Sequence, residues 1–185
     1  MKYSDTEIDT MTLGYETDAT LLMNGIGTGT GVQERIGRKI LVRGIQLGII
    51  LDTPTTTGVS QAVRIVVVQD KQANGTACGW DDVFDDGTSG NNASTLTDPL
   101  NVENRFRFNI LFDKIVNLQV QSAAPQNKTL KVYRKVTIPV IYGGNGDEID
   151  DINTNSIYLL VKNSVAAGTS SATIGGYTRI RYTDM

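Results

Sequence analysis

The strongest constraint on this chain is a two-residue alternation of apolar and polar side chains, repeated between turn clusters. Successive side chains of a strand point to opposite faces, so this period belongs to β-structure with one face buried. From Arg38 to Leu51, Arg43, Ile45, Leu47 and Ile49 fall on one face and Gln46 and Gly48 on the other. Between 128 and 142, Leu130, Val132, Val136, Ile138 and Val140 share a face. From Arg105 to Leu118, Phe106, Phe108 and Ile110 alternate with Arg105, Arg107 and Asn109. Within Gln61–Asp70 the run Ile65-Val66-Val67-Val68 is too continuous for a strand with one face in water. Ser156–Lys162 and Gly176–Thr183 supply two further strands, and Thr10–Met23 a weaker one through Met11, Leu13 and Tyr15.

The connectors agree with this reading. Gly25–Gly31 alternates glycine, Asp52–Gly58 is Thr-rich around Pro54, and Gly143-Gly144-Asn145-Gly146 is a turn cluster. Nowhere does an apolar i, i+3, i+4, i+7 pattern persist, and Asp98–Glu103 has room for one helical turn at most. Seven or eight strands with long loops predict an antiparallel sandwich, immunoglobulin-like or jelly roll. Several segments exceed the common strand length of about 5–6 residues, and the loops at 71–103 and 143–155 are long. Both features favour an all-β single jelly roll, a sandwich of two four-stranded antiparallel sheets.

A chain of 185 residues suits one domain spanning 1–185, with 1–32 as an N-terminal segment and first strand. At this size folding buries about 70% of the surface, so a full core forms without disulfides or metals. Cys78 is the one cysteine, which excludes a disulfide within the chain. Histidine is absent, and with it the commonest metal ligand and the usual general base. The expectation is a structural or binding protein rather than an enzyme, with no cofactor. No apolar run approaches the roughly 18 residues of a membrane span, and Met1–Asp5 does not open a signal peptide, so no membrane partner is expected. A net charge of −3 does not advertise nucleic-acid binding by the chain as a whole.

Local motifs have bland explanations. Gly25, Gly27, Gly29 and Gly31 alternate like a phosphate loop, but that loop needs a preceding strand and a following helix, and here a strand pattern follows. A flexible or tightly turning connector is expected. Asp81, Asp82, Asp85 and Asp86 form one acidic cluster, and Asp147, Glu148, Asp150 and Asp151 another. Such oxygen ligands suit calcium, with Asp147, Asp150 and Asp151 as the nearest approach to a ligand set. EF-hand spacing is absent, so solvated loops and no metal are expected. Paired carboxylates could equally serve a glycosidase, a criterion any loop with two aspartates meets. Cys78, beside Trp80, has no histidine to activate it and reads as an idle or buried thiol. Asn74, Asn92 and Asn127 open chance glycosylation sequons.

Basic residues are placed unevenly. Arg35, Arg38, Lys39 and Arg43 cluster, as do Lys128, Lys131, Arg134 and Lys135, while Arg105 with Arg107 and Arg179 with Arg181 are same-face pairs. Adjacent cations on one strand face repel unless an anion lies between them, either a carboxylate or a nucleic-acid phosphate. With Tyr133, Tyr177 and Tyr182 as the few aromatic neighbours, contact to the phosphate backbone is expected rather than base-specific readout.

Several segments carry a family resemblance. Gln33-Glu34-Arg35-Ile36-Gly37-Arg38-Lys39-Ile40-Leu41-Val42-Arg43-Gly44-Ile45 resembles the Arg-Ile/Val-Gly-Lys/Arg strand of coat proteins from small circular single-stranded DNA viruses. These viruses encode a rolling-circle replication initiator and include the geminivirus-like lineages. Five later segments follow in the family's order. They are Val63–Gly75, Asn104–Lys114 with its Arg-Phe-x-(Ile/Val)-Leu-x-Asp pattern, the basic-then-apolar Lys131–Val140, and the last two strands at Asn155–Val161 and Tyr177–Asp184. Satellite plant RNA viruses have similar coat proteins.

The resemblance covers about residues 33–184. It implies a capsid protein that self-assembles into an icosahedral shell, the simplest having sixty equivalent subunits, around circular single-stranded DNA, or RNA in the satellite case. It also implies residence in the virion, with assembly in the host nucleus or cytoplasm. Arg35, Arg38, Lys39, Lys131, Arg134 and Lys135 are then expected on an inward, phosphate-facing patch. The family's Arg/Lys-rich arm has no counterpart, since only Lys2 precedes Arg35; either an arm has been removed from the natural chain, the favoured expectation, or packaging relies on folded-domain charges alone. The alternatives that share this architecture are a lectin-like sandwich and a trimeric viral appendage.

Overall fold

The alternating segments pair with one another as a nested set. In a computed structural model, which describes residues 1–14, 18–53, 60–85, 96–119, 127–164 and 171–185, there are nine strands. They are β1 (Lys2–Thr12), β2 (Asp18–Leu22), β3 (Lys39–Asp52), β4 (Ser60–Asp70), β5 (Phe108–Gln119), β6 (Asn127–Tyr142), β7 (Ile152–Thr154), β8 (Ser156–Asn163) and β9 (Thr173–Asp184). One sheet has the order β1-β9-β3-β6-β7 and the other β2-β8-β4-β5. Every ladder is antiparallel. The innermost pair is β4 with β5; β3–β6, β2–β8 and β1–β9 follow outward along the chain. A long hairpin rolled up in this way is a jelly roll.

The sheets hold five and four strands rather than four each. The expected strand over Thr10–Met23 is two separate strands, β1 and β2, in different sheets. The first was hidden because its inward positions include Ser4 and only one large buried side chain, Ile8. Asp98–Glu103 is not helical. Among the described residues one α-turn, α1, covers Trp80–Val83, and a 3-10 turn covers Ile149–Asp151.

Between the sheets lie Ile40, Val42, Ile45, Leu47, Ile49 and Leu51 of β3 against Val63, Ile65 and Val67 of β4 and Leu159 and Val161 of β8. Arg43 does not share the face of Ile45. A bulge between Val42 and Gly44 turns it to solvent, so both flanking apolar runs stay inward without burying a guanidinium.

The continuous run in β4 has its physical explanation in a second core. The connector between β4 and β5 folds back over the outer face of the four-stranded sheet. There it lays Trp80, Val83 and Phe84 on Val66, Val68, Tyr158 and Leu160. Burying each such side chain is worth roughly 1.5–3 kcal/mol. Two cations are enclosed with this layer: Arg64 packs 4.2 Å from the Phe84 ring and Lys162 lies 5.0 Å from the Trp80 ring. At the same end, Arg107 pairs at 2.7 Å with the buried Asp70.

Candidate nucleic-acid interface

The five-stranded sheet leaves its outer face open, and strand register decides which side chains meet there. Three rows cross β1, β9, β3 and β6. The first is Tyr3, Arg181, Gly44 and Lys135. The second is Asp5, Arg179, Gln46 and Tyr133. The third is Glu7, Tyr177, Gly48 and Lys131. Neighbouring strands lie about 4.8 Å apart, so members of one row are in side-chain reach.

Glycine shapes the middle of this face. Without side chains at Gly44 and Gly48, β3 forms a valley between the side chains of β6 and β9. A Cβ at Gly44 would lie 2.7 Å from the Tyr133 hydroxyl, and one at Gly48 would lie 2.5 Å from the Tyr177 ring. Both tyrosines therefore lean over bare backbone. Tyr177 is held there by a 3.1 Å hydrogen bond from the Gln46 amide to its hydroxyl. Gln46, Lys131, Tyr133 and Arg181 line the resulting depression.

Charge divides the same face. Along β1, Asp5 accepts two hydrogen bonds from Arg179, at 2.6 and 2.7 Å, which neutralises that arginine and raises its pKa through the hydrogen bond. Among the described residues no ion pair engages Lys39, Lys131, Lys135 or Arg181. The Nε of Arg181 is buried without an acceptor among the described residues, and its guanidinium lies 6.0 Å from the Tyr133 ring.

Of the six residues expected on one basic patch, Lys39, Lys131 and Lys135 share this face, and Arg38 is exposed at its rim. Arg35 and Arg134 are elsewhere. Arg35 is fully buried, donating to the carbonyls of Ile26 at 2.7 Å, Gly37 at 2.5 Å and Gly144 at 2.6 Å. Its pKa is lowered by desolvation, and three carbonyls and the Tyr142 ring occupy the positions a phosphate would need. Arg134 has the parity of Val132 and Val136, so it lies on the opposite side of β6 from Lys131 and Lys135, exposed and 5.8 Å from the Phe112 ring. Arg181 completes the patch in their place.

The remaining expected motifs are local supports. The glycine connector packs on neighbouring chain: Gly31 N–H donates to Glu34 at 2.7 Å, and a Cβ at Gly25 would strike the Asp147 carbonyl. Among the described residues no three metal-ligating side chains gather, at Asp147, Asp150 and Asp151 or anywhere else. Asp151 and Asp82 instead accept backbone N–H groups of their own turns; Asp86 lies outside the described residues. Cys78 is buried, and desolvation, with Asp70 and Asp82 nearby, pushes its pKa up to about 12. Trp80 is buried rather than offered as a sugar platform. No helix of the described residues is long and apolar enough to cross a membrane.

A jelly roll with one covered sheet and one open, basic sheet face matches a known family over nearly its whole length. The family model described as satellite tobacco necrosis virus coat protein matches residues 10–185. The chain belongs to this family. No curated protein matches it. The match supports a small viral capsid protein and corrects the lineage: it is a satellite-virus coat protein family, not that of the circular DNA viruses. As a coat protein the chain is a structural protein of the virion that assembles with its own copies and the viral genome.

Proposed function

We propose that this coat protein closes into a small icosahedral shell, with sixty subunits as the simplest form, and turns the open face of its five-stranded sheet toward a single-stranded genome. The observation that carries this reading is the gathering of Lys39, Lys131, Lys135 and Arg181 on that face, with no ion-pair partner among the described residues. The other sheet has its outer face covered by the β4–β5 connector. A subunit of net charge −3 repels a polyanion unless one surface is locally basic. The match to a satellite RNA virus family favours RNA over circular DNA. Residues 1–185 act as one domain in this reading.

Subunits meet through apolar side chains exposed on the connectors at one end of the sandwich. Val32 and Ile36 lie between β2 and β3, and Leu100, Val102 and Phe106 between β4 and β5. Large apolar side chains left exposed on connectors fit contact with a further copy of the chain. The experiment that tests the genome-facing surface is charge reversal. Particles of Lys131→Glu/Lys135→Glu should form but carry several-fold less nucleic acid, read from the absorbance ratio of purified shells. Full packaging by that variant would remove this face from the account.

A further inference from the structure

We propose that Tyr133 and Tyr177 are base-stacking platforms, so that the open face binds unpaired bases of a single strand as well as its phosphates. This rests on the genome-facing reading above and assigns that surface a second ligand chemistry. Tyr133 is 57% and Tyr177 40% exposed, both high for tyrosines in the middle of a sheet. Neither is packing the core. Each ring leans across a glycine of β3, where any larger residue would displace it. Gln46 holds the Tyr177 hydroxyl, and Arg181 stands against the Tyr133 ring.

Strand spacing puts the two tyrosines two strands and one row apart, about 12 Å between Cα atoms. Cations flank them. Lys135 and Arg181 lie across Gly44 in the first row, and Lys131 lies across Gly48 from Tyr177 in the third. The face thus alternates positive charge with exposed ring, the arrangement by which sequence-tolerant single-strand binders hold both backbone and bases. A duplex presents phosphates but keeps its bases stacked on one another, so it gains only the cation part. The carboxylates of Asp5 and Glu7 border this area along β1 and confine the strand to the β9–β3–β6 side. Binding therefore divides into a salt-dependent part from the cations and a part that needs bases.

The test uses the full chain, held below its assembly concentration, titrated with a labelled twelve-nucleotide single strand. The comparison ligand is an abasic strand of equal length, with the same phosphates and no bases. The wild-type protein should prefer the base-bearing strand by at least about fivefold for each tyrosine engaged. Tyr133→Ala/Tyr177→Ala should erase that preference while binding the abasic strand unchanged, and Tyr133→Phe/Tyr177→Phe should restore it. Equal binding of the two strands by the wild type, or a preference that survives the alanine pair, overturns the platform. Lys131→Glu/Lys135→Glu separates the two levels of the argument: loss of abasic-strand binding supports the face, and unchanged binding sinks the face and the platform together. Circular dichroism of each variant at matched concentration confirms that the sheet is retained.

Discussion

The guanidinium of Arg35 lies 4.0 Å above the ring of Tyr142, at the junction of the β2–β3 and β6–β7 connectors. Its three donated hydrogen bonds reach carbonyls at Ile26, Gly37 and Gly144, so one side chain ties segments far apart in sequence. Tyr142 continues the tie by donating at 2.8 Å to the Asn24 carbonyl.

Arg35 should therefore behave as a structural residue. Arg35→Ala removes three hydrogen bonds, the one to Ile26 fully buried and those to Gly37 and Gly144 partly so, and should cost about 3 kcal/mol in urea unfolding. Arg35→Lys should recover less than half, because an ammonium cannot present the guanidinium fork. An unchanged unfolding midpoint for Arg35→Ala would show that the tie contributes nothing.

Adjacent residues on β6 should give opposite results. Lys135 stands on the open face, and Arg134 on the opposite side of the strand, exposed beside the Phe112 ring. Lys135→Glu should lower packaged nucleic acid with little effect on unfolding. Arg134→Glu should lower stability by about 1 kcal/mol, through loss of its ring contact, and leave packaging per shell unaltered. Equal packaging defects would contradict the assignment of faces.

Phe106 is 75% exposed on the β4–β5 connector, which also exposes Leu100 and Val102. Phe106→Asp should leave the subunit folded, since no core contact is removed, and should raise the concentration needed for assembly at least about tenfold. Light scattering during assembly reads this directly. Assembly at the wild-type concentration would place the subunit contact elsewhere.

Stability should fall on the alkaline side. Burial, reinforced by Asp70 and Asp82, pushes the Cys78 thiol up to about 12, and burial also pushes the Tyr158 and Tyr182 hydroxyls to about 12. These pKa values are raised in the folded state, so the unfolded chain releases protons that the subunit keeps. The contribution is fully present below about pH 8.5, where an ordinary thiol is protonated. It is lost as pH rises toward 12, at about 1.4 kcal/mol per pH unit for each group. Cys78→Ala should flatten the loss between about pH 8.5 and 9.5, below the ordinary tyrosine pKa of about 10, where the thiol dominates the change. Urea midpoints measured from pH 8 to 11 check this, and identical slopes for the two proteins would contradict it.

The positions of most strands and the sandwich class were legible because β3, β6 and β9 each bury one face of a long alternation. The β4 run was legible as doubly buried, although what covers it, Trp80 with Val83 and Phe84, was not. Arg134 illustrates a signal that was present but outweighed. Its even-numbered neighbours Val132 and Val136 already put it on the inward side, yet its charge grouped it with Lys131 and Lys135. Arg35 carried no such signal, because its partners are brought to it by a connector fold that no period describes. The row Arg181–Gly44–Lys135 depends on register between strands distant in sequence, and only pairing reveals it.

Electron cryomicroscopy of particles assembled from the full chain tests the central claim most directly. The account predicts closed shells in which Lys131, Lys135 and Arg181 line the lumen and the Trp80 connector lies on the outside. Subunits that stay monomeric across concentration and salt, or shells with that basic face turned outward, would contradict it.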